Sequence, residues 1–221
     1  MFKDVLDIYN KHLPSILVLS ITLVFPVTFF IQLVVVYVYE SSTVLFPSII
    51  SLCLLIINFI VLFSPFRFLT HKDLSDEKVS LKELYAVFFS YFFYLLLFSI
   101  IVYAISVFGS FLILMPTIIG FSIIFLLPVF VDETSMKNHF RKAWLTLKSE
   151  NIAVLGDIVI IFSVQILLWT ILTYIIKDLE NSFFFFLVLR ALVNTFLYPL
   201  FYIYLTRKYG QLYEDRKWVT F

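Results

Sequence analysis

The stretch Leu127–Asn151, LPVFVDETSMKNHFRKAWLTLKSEN, decides the fold. It opens at the foot of an apolar run carrying Pro128, passes through a basic segment, and runs into another apolar stretch. From Met136 the residues Met136, Phe140, Ala143, Trp144 and Leu147 recur at helical spacing, while Lys137, Arg141, Lys142 and Lys148 lie away from them. A helix with this pattern lies along an anionic membrane surface. The reading is a membrane helix that leaves the bilayer, an interfacial amphipathic helix over 134–149, and a new span.

Composition carries that reading to the whole chain. Of 221 residues, 62% are hydrophobic and 14% charged, and the mean hydropathy is +1.03, so too little polar surface exists to face water on every side. The expected fold class is an all-α polytopic membrane protein, one integral membrane domain over 1–221. A net charge of +1 names no partner when read globally, so the placement of charge is what informs. The single cysteine, Cys53, sits in an apolar run and excludes an intramolecular disulfide and a cysteine metal cluster. It reads as a small buried hydrophobe.

Outward from the junction, the chain divides into six expected spans. Phe2, Val5, Leu6, Tyr9 and Leu13 form a stripe opposite Lys3, Asp7 and Lys11, which predicts a second interfacial helix over 1–12. The uncharged run 13–39 is long enough to cross a ~30 Å hydrocarbon core. A short turn at Glu40–Ser42 leads to a span over 42–66, and Arg67–Glu83 reads as a polar loop. There Ser80 and Glu83 make a capping box, with Val79 and Leu84 placed as a staple, so a helix starts near Leu81. Residues 84–131 are a charge-free run of 48 that breaks at Gly109–Ser110, predicting spans over 84–108 and 110–131. Spans over 151–176 and 183–206 complete the set, followed by a short tail of mixed charge.

Fourteen of the 16 Lys and Arg residues fall on one side of this threading, leaving Lys177 opposite and Arg190 within a span. The positive-inside rule then places both termini in the cytoplasm. The spans read as three hairpins with Pro65, Pro128 and Pro199 near their inner ends, 63 and 71 residues apart. The general tolerance of proline in membrane helices explains the same prolines without a repeat.

Over 127–160 an apolar helix ending in proline, an acidic residue, a basic segment with an Ala-Trp-x-Leu core and a new span follow one another. Pro128, Asp132 and Arg141-Lys142-Ala143-Trp144-Leu145-Thr146-Leu147 carry this pattern. It resembles YciC-like proteins and the membrane domain of bacterial glycerophosphoryl diester phosphodiesterases. The resemblance implies a six-span fold in a bacterial cell membrane and no agreed activity. The chain departs from the enzyme-bearing members in leaving no room for a phosphodiesterase domain before Phe221.

Catalysis finds little in the residues. His12, His71 and His139 lack H-E-x-x-H or comparable ligand spacing, and no G-x-S-x-G element occurs. Only four glycines are present, so neither a P-loop, a dinucleotide fingerprint nor a GxxxG packing motif can be written. No cofactor, metal or nucleic acid is expected. The 28 phenylalanines read as bulky groups facing lipid or each other.

Charges inside spans are the best functional candidates, because an unpaired ion at mid-bilayer costs at least ~2.5 to 3.5 kcal/mol. Asp157 lies in the fifth span and Arg190 in the sixth, roughly 10 Å apart in depth by helical rise. Arg190, Asn194, Tyr198 and Tyr202 are spaced by four, and Asp157 and Gln165 share one face of the fifth helix. This predicts a polar seam of Asp157, Gln165, Arg190, Asn194 and Tyr198, either packing the helices or admitting a lipid headgroup or small anion to Arg190. Two functions stand. One is a non-enzymatic membrane accessory or scaffold acting through Lys137, Arg141, Lys142, Trp144 and Lys148 on anionic inner-leaflet lipid or a partner protein. The other is a permease, alone or as the membrane subunit of an ABC-type transporter with an ATPase partner.

Overall fold

Hydrocarbon offers no water to a free N–H or C=O, so a chain this apolar satisfies its backbone within helices. The computed structural model describes residues 1–110, 114–131, 136–176 and 183–210, all-helical apart from short turns. In order these are α1 (Phe2–Lys11), α2 (Leu13–Leu19), α3 (Phe25–Glu40), α4 (Pro47–Val61), α5 (Phe63–Leu74), α6 (Leu81–Ser110), α7 (Leu114–Leu126), α8 (Met136–Ile176) and α9 (Phe183–Leu205). A π turn at Ser20–Val24 joins α2 to α3, and another, Thr206–Gly210, ends α9. Five helical stretches are long and apolar enough to cross a membrane: Leu13–Glu40, Pro47–Leu74, Leu81–Ser110, Met136–Ile176 and Phe184–Gly210. The chain is a multi-pass helical membrane protein.

The stretch expected as a fourth span is shorter. Its apolar helix runs Pro116–Val129, about 21 Å at the helical rise, and ends in a 3-10 turn at Leu127–Val129 where Pro128 removes a donor. Residues 122–131 are all buried, so protein surrounds this end. Arg67 Nε donates to the Val129 carbonyl at 2.7 Å, satisfying one of the acceptors that the helix end leaves open.

Three other expectations change. Arg67–Leu74 is the last part of α5 rather than loop, because Leu62 breaks the helix before Pro65 and places that proline in the first turn of α5, where its missing donor costs little. The second span begins at Pro47 rather than 42, since Phe46 is left-handed (φ 58°) and Pro47 opens the helix. The expected stripe on α1 turns: Val5 and Ile8 are buried against the bundle while Phe2 is 72% exposed. The capping box forms as read, with Ser80 N–H on Glu83 Oε2 at 3.0 Å and Glu83 N–H on Ser80 Oγ at 3.3 Å. The helix it caps starts at Leu81. The connection Lys177–Ser182, Asp132 and residues 134, 135 and 211–221 lie outside the described residues.

Helix α7 returns along α6, with Thr117 Oγ1 donating to the Ser106 carbonyl at 3.0 Å and the Tyr103 and Phe121 rings 5.8 Å apart. The approach is close because Gly120 has no side chain: a Cβ there would stand 1.7 Å from Ser106 Oγ and 2.9 Å from Ser106 Cβ. Gly120→Ala is expected to destabilise by about 1–3 kcal/mol through overpacking. Adding Ser106→Gly recovers most of the loss, as read by thermal unfolding in detergent.

Helix α1 packs on α9, and its end is tied to α5. Lys11 Nζ and His12 Nε2 each lie 2.7 Å from Asp73 Oδ1. The hydrogen bond to Asp73, with the carboxylate's charge, raises the Lys11 pKa above its ordinary value. A raised lysine pKa contributes stability that is complete below the unfolded value and is lost as pH rises through the folded one. The tether therefore holds across neutral pH and lets go in strong alkali, where Lys11 loses its charge, or in acid, where Asp73 takes up a proton. Hydrogen exchange over α1 should stay flat from pH 6 to 9, after correction for intrinsic rates, and rise at neutral pH in Asp73→Asn.

Candidate functional site

Helices α8 and α9 carry the seam expected from the sequence, and side-chain bonds fix how they align. Gln165 Nε2 donates to Asn194 Oδ1 at 3.1 Å, Trp169 Nε1 to the same oxygen at 3.2 Å, and the Arg190 guanidinium lies 4.4 Å from the Trp169 ring centre. Gln165 is thus level with Asn194, and Trp169 with Arg190. Asp157 lies twelve residues from Trp169, about 18 Å along the axis. The roughly 10 Å expected between Asp157 and Arg190 is too small, and the two ions do not pair.

The seam therefore resolves into three tiers. At the end near α1, Asp157 is 5% exposed and fully engaged. Lys208 Nζ reaches its two oxygens at 2.8 and 2.7 Å, Tyr204 donates at 2.9 Å and Tyr209 at 2.6 Å. These partners come from the end of α9 and its π turn. An extra residue in that turn shifts the side-chain rotation, and Lys208 and Tyr209 both face Asp157.

The middle tier is a buried hydrogen-bonded chain across four helices. Tyr198 OH accepts from Gln165 Nε2 at 3.3 Å and Asn58 Nδ2 at 3.2 Å, and Asn58 Oδ1 accepts from Thr28 Oγ1 at 3.3 Å. Asn194 Nδ2 is buried with no partner. Beside this tier lies a cavity of about 160 Å³ walled by Leu52, Phe59, Phe125, Phe162, Gln165 and Trp169, among others. It is overwhelmingly apolar.

In the third tier Arg190 is clamped between two rings, 4.4 Å from Trp169 and 4.7 Å from Phe186. Its Nε is buried without an acceptor, and among the described residues no carboxylate bridges it. The rings stabilise the cation by cation–π attraction. They supply no hydrogen-bond acceptor.

The basic segment of α8 is set off by Glu150, whose φ/ψ of −126° and 33° break the helix before the span. On this half His139, Ala143, Thr146 and Leu147 are buried, whereas Met136, Phe140 and Trp144 stay exposed. The exposed three follow i, i+4, i+8, and Lys137, Arg141 and Lys148 border them. Lys142 lies on the opposite edge and is half-buried. The face thus has three sectors: protein-facing, exposed apolar, and basic.

Sequence reasoning reached Asp157, Gln165, Asn194 and Tyr198 but missed Lys208, Tyr204, Tyr209, Asn58, Thr28 and Trp169. Spacing by four links Tyr204 to Lys208, yet nothing local joins either to a carboxylate 47 and 51 residues away. Among the described residues no three His, Cys, Asp or Glu side chains converge on a metal position. Neither a known family model, nor a curated protein, nor a solved structure matches the chain.

Removing one partner of a buried ion pair leaves an uncompensated charge, at a cost of about 3 kcal/mol or more. Lys208→Met should lower the unfolding midpoint sharply. The double variant Asp157→Leu, Lys208→Met should recover most of it. Equal loss in single and double variants, measured by thermal unfolding, would contradict the pairing.

Proposed function

We propose that the chain is a non-enzymatic accessory or scaffold protein of the cell membrane, acting through its basic face on anionic lipid and on a membrane partner that shares that lipid. The carrying observation is the three-sector helix Met136–Ser149. Its apolar strip of Met136, Phe140 and Trp144 stays largely exposed, with only one edge of Phe140 against Phe98 (ring centroids 6.4 Å), and Lys137, Arg141 and Lys148 line one edge. An apolar strip with a cationic border is what an interfacial helix needs to seat among acyl chains and phosphates.

The threading behind this reading has six crossings with both termini cytoplasmic. The Pro116–Val129 helix, buried from Ser122 onward, serves as the short fourth crossing, completed at that end by its protein surroundings. Asp73 on Lys11 and His12, Arg207 against Asp4, and Lys208 on Asp157 gather four segments at one end of the bundle, where the positive-inside rule puts the cytoplasm. The likeness of Pro128, Asp132 and 141–147 to YciC-like proteins supports the same layout. A permease or ABC-type subunit would need a polar path through the centre. Between α4, α5 and α9 the centre holds Phe59, Phe63, Tyr198 and Tyr202, with ring centroids 4.8 to 5.8 Å apart.

Each basic residue near an anionic surface contributes about 1 kcal/mol. Purified in mild detergent, the Lys137→Glu, Arg141→Glu, Lys148→Glu variant should retain at least about tenfold less anionic lipid with its midpoint unchanged. Unchanged lipid content, or substrate flux in vesicles with a bound ATPase, would refute the reading.

A further inference from the structure

At the opposite end of α8 and α9, the cavity and Arg190 share one wall. Trp169 lines the cavity on one side and carries the Arg190 guanidinium 4.4 Å from its ring centre. We infer that this is a site for one phospholipid of the leaflet away from the basic face, its phosphate on Arg190 and a stretch of one acyl chain in the cavity.

Depth argues for a lipid. Gln165 lies eleven residues from the α8 end at Ile176, about 16 Å, so the cavity stands near the bilayer centre, where acyl chains are the solvent. Two residues at its wall, Leu52 and Ile166, are 41% and 59% exposed, so the cavity opens sideways between α4 and α8. Its volume, about 160 Å³, matches dry apolar cavities that take up a benzene-sized guest. A run of several methylenes fits that space and chemistry.

Charge argues for a phosphate. Arg190 lies about 10 Å from the end of α9, level with Trp169. The stretch Phe184–Gly210 is about 40 Å long and exceeds the ~30 Å hydrocarbon core, so the guanidinium is within snorkelling reach of the headgroups. Trp169 and Phe186 fix its plane without occupying its donors. A planar fork with vacant donors suits phosphate bidentately. Arg190 and the cavity lie about 6 Å apart in depth, four residues at the helical rise, well within the length of one lipid. The inference does not rest on the basic face.

The test uses the chain already carrying Lys137→Glu, Arg141→Glu and Lys148→Glu, so that lipid on that face does not count. Reconstituted with dioleoyl phosphatidylglycerol and extracted in mild detergent, it should retain about one phospholipid per chain by native mass spectrometry. Arg190→Leu should lower that occupancy at least fivefold, and Arg190→Lys should fall between Arg190→Leu and the parent because an ammonium keeps the charge without the planar fork. Ile161→Phe, at a side chain that lines the cavity, should abolish it without lowering the unfolding midpoint. Wild-type occupancy in folded Arg190→Leu overturns the phosphate contact. Wild-type occupancy in Ile161→Phe overturns the site, even where Arg190→Leu fails to fold.

Discussion

A buried carboxylate sets the alignment of the two C-terminal helices, and most of the seam follows from it. Asp157 is 5% exposed and must be charged or bonded at a depth where water is scarce. One lysine and two tyrosines from the end of α9 surround it, and their position fixes α9 along α8. Once that is fixed, Gln165 meets Asn194 and Trp169 meets Arg190 without further choice. Sliding α9 by one turn, about 5.4 Å, would break every one of these contacts together. This is the use of buried ions that has the best physical support: they select one register more than they add stability.

Between these polar tiers the bundle is held by rings rather than by small residues. Tyr202 is fully buried, donates to the Phe59 carbonyl at 2.7 Å, and packs against Phe59, Phe63 and Phe66 with centroids 4.8 to 5.5 Å apart. Its hydroxyl thus bonds a backbone acceptor beside the break at Leu62, where the helix joins α5. Lipid competes equally for apolar surface, so helices associate in membranes through packing and interhelical bonds. A buried tyrosine provides both. The exception is α6 against α7, where Gly109 and Gly120 let the backbones close on Pro116 and Ser106.

Five of the expected spans were legible because they depend on length and hydropathy, which a local window contains. The Ser80–Glu83 cap was legible for the same reason, being a three-residue relation. The face of α8 was half legible. Helical periodicity grouped Met136, Phe140, Ala143, Trp144 and Leu147, but only tertiary packing separates the buried Ala143 and Leu147 from the exposed others. The partner of Asp157 was out of reach, since a π turn rotates Lys208 and Tyr209 out of the α-helical pattern and the contact spans about fifty residues of chain. Arg190 was the nearest cation at a plausible depth, and depth counted from uncertain span ends was off by about a turn and a half. The break at Gly109–Ser110 was legible, for α6 ends at Ser110, but an uncharged run of 48 residues does not show how short the returning helix is.

What packing uses and what it leaves over point to where this protein acts. The central rings, the Asp157 cluster and the Tyr198 chain are consumed in holding helices together, and a group so engaged has little left to offer a substrate. Two features are left largely open. One is the strip Met136, Phe140 and Trp144 beside its cations, and the other is Arg190 on its aromatic wall next to an apolar hollow. They lie at opposite ends of the bundle, both toward lipid, and each joins a cation to apolar surface. Phospholipid presents an anion joined to a hydrocarbon chain, and a membrane delivers it to both ends at high concentration. On the function proposed above, unspent chemistry facing both leaflets is what a protein that gathers lipid around itself would keep.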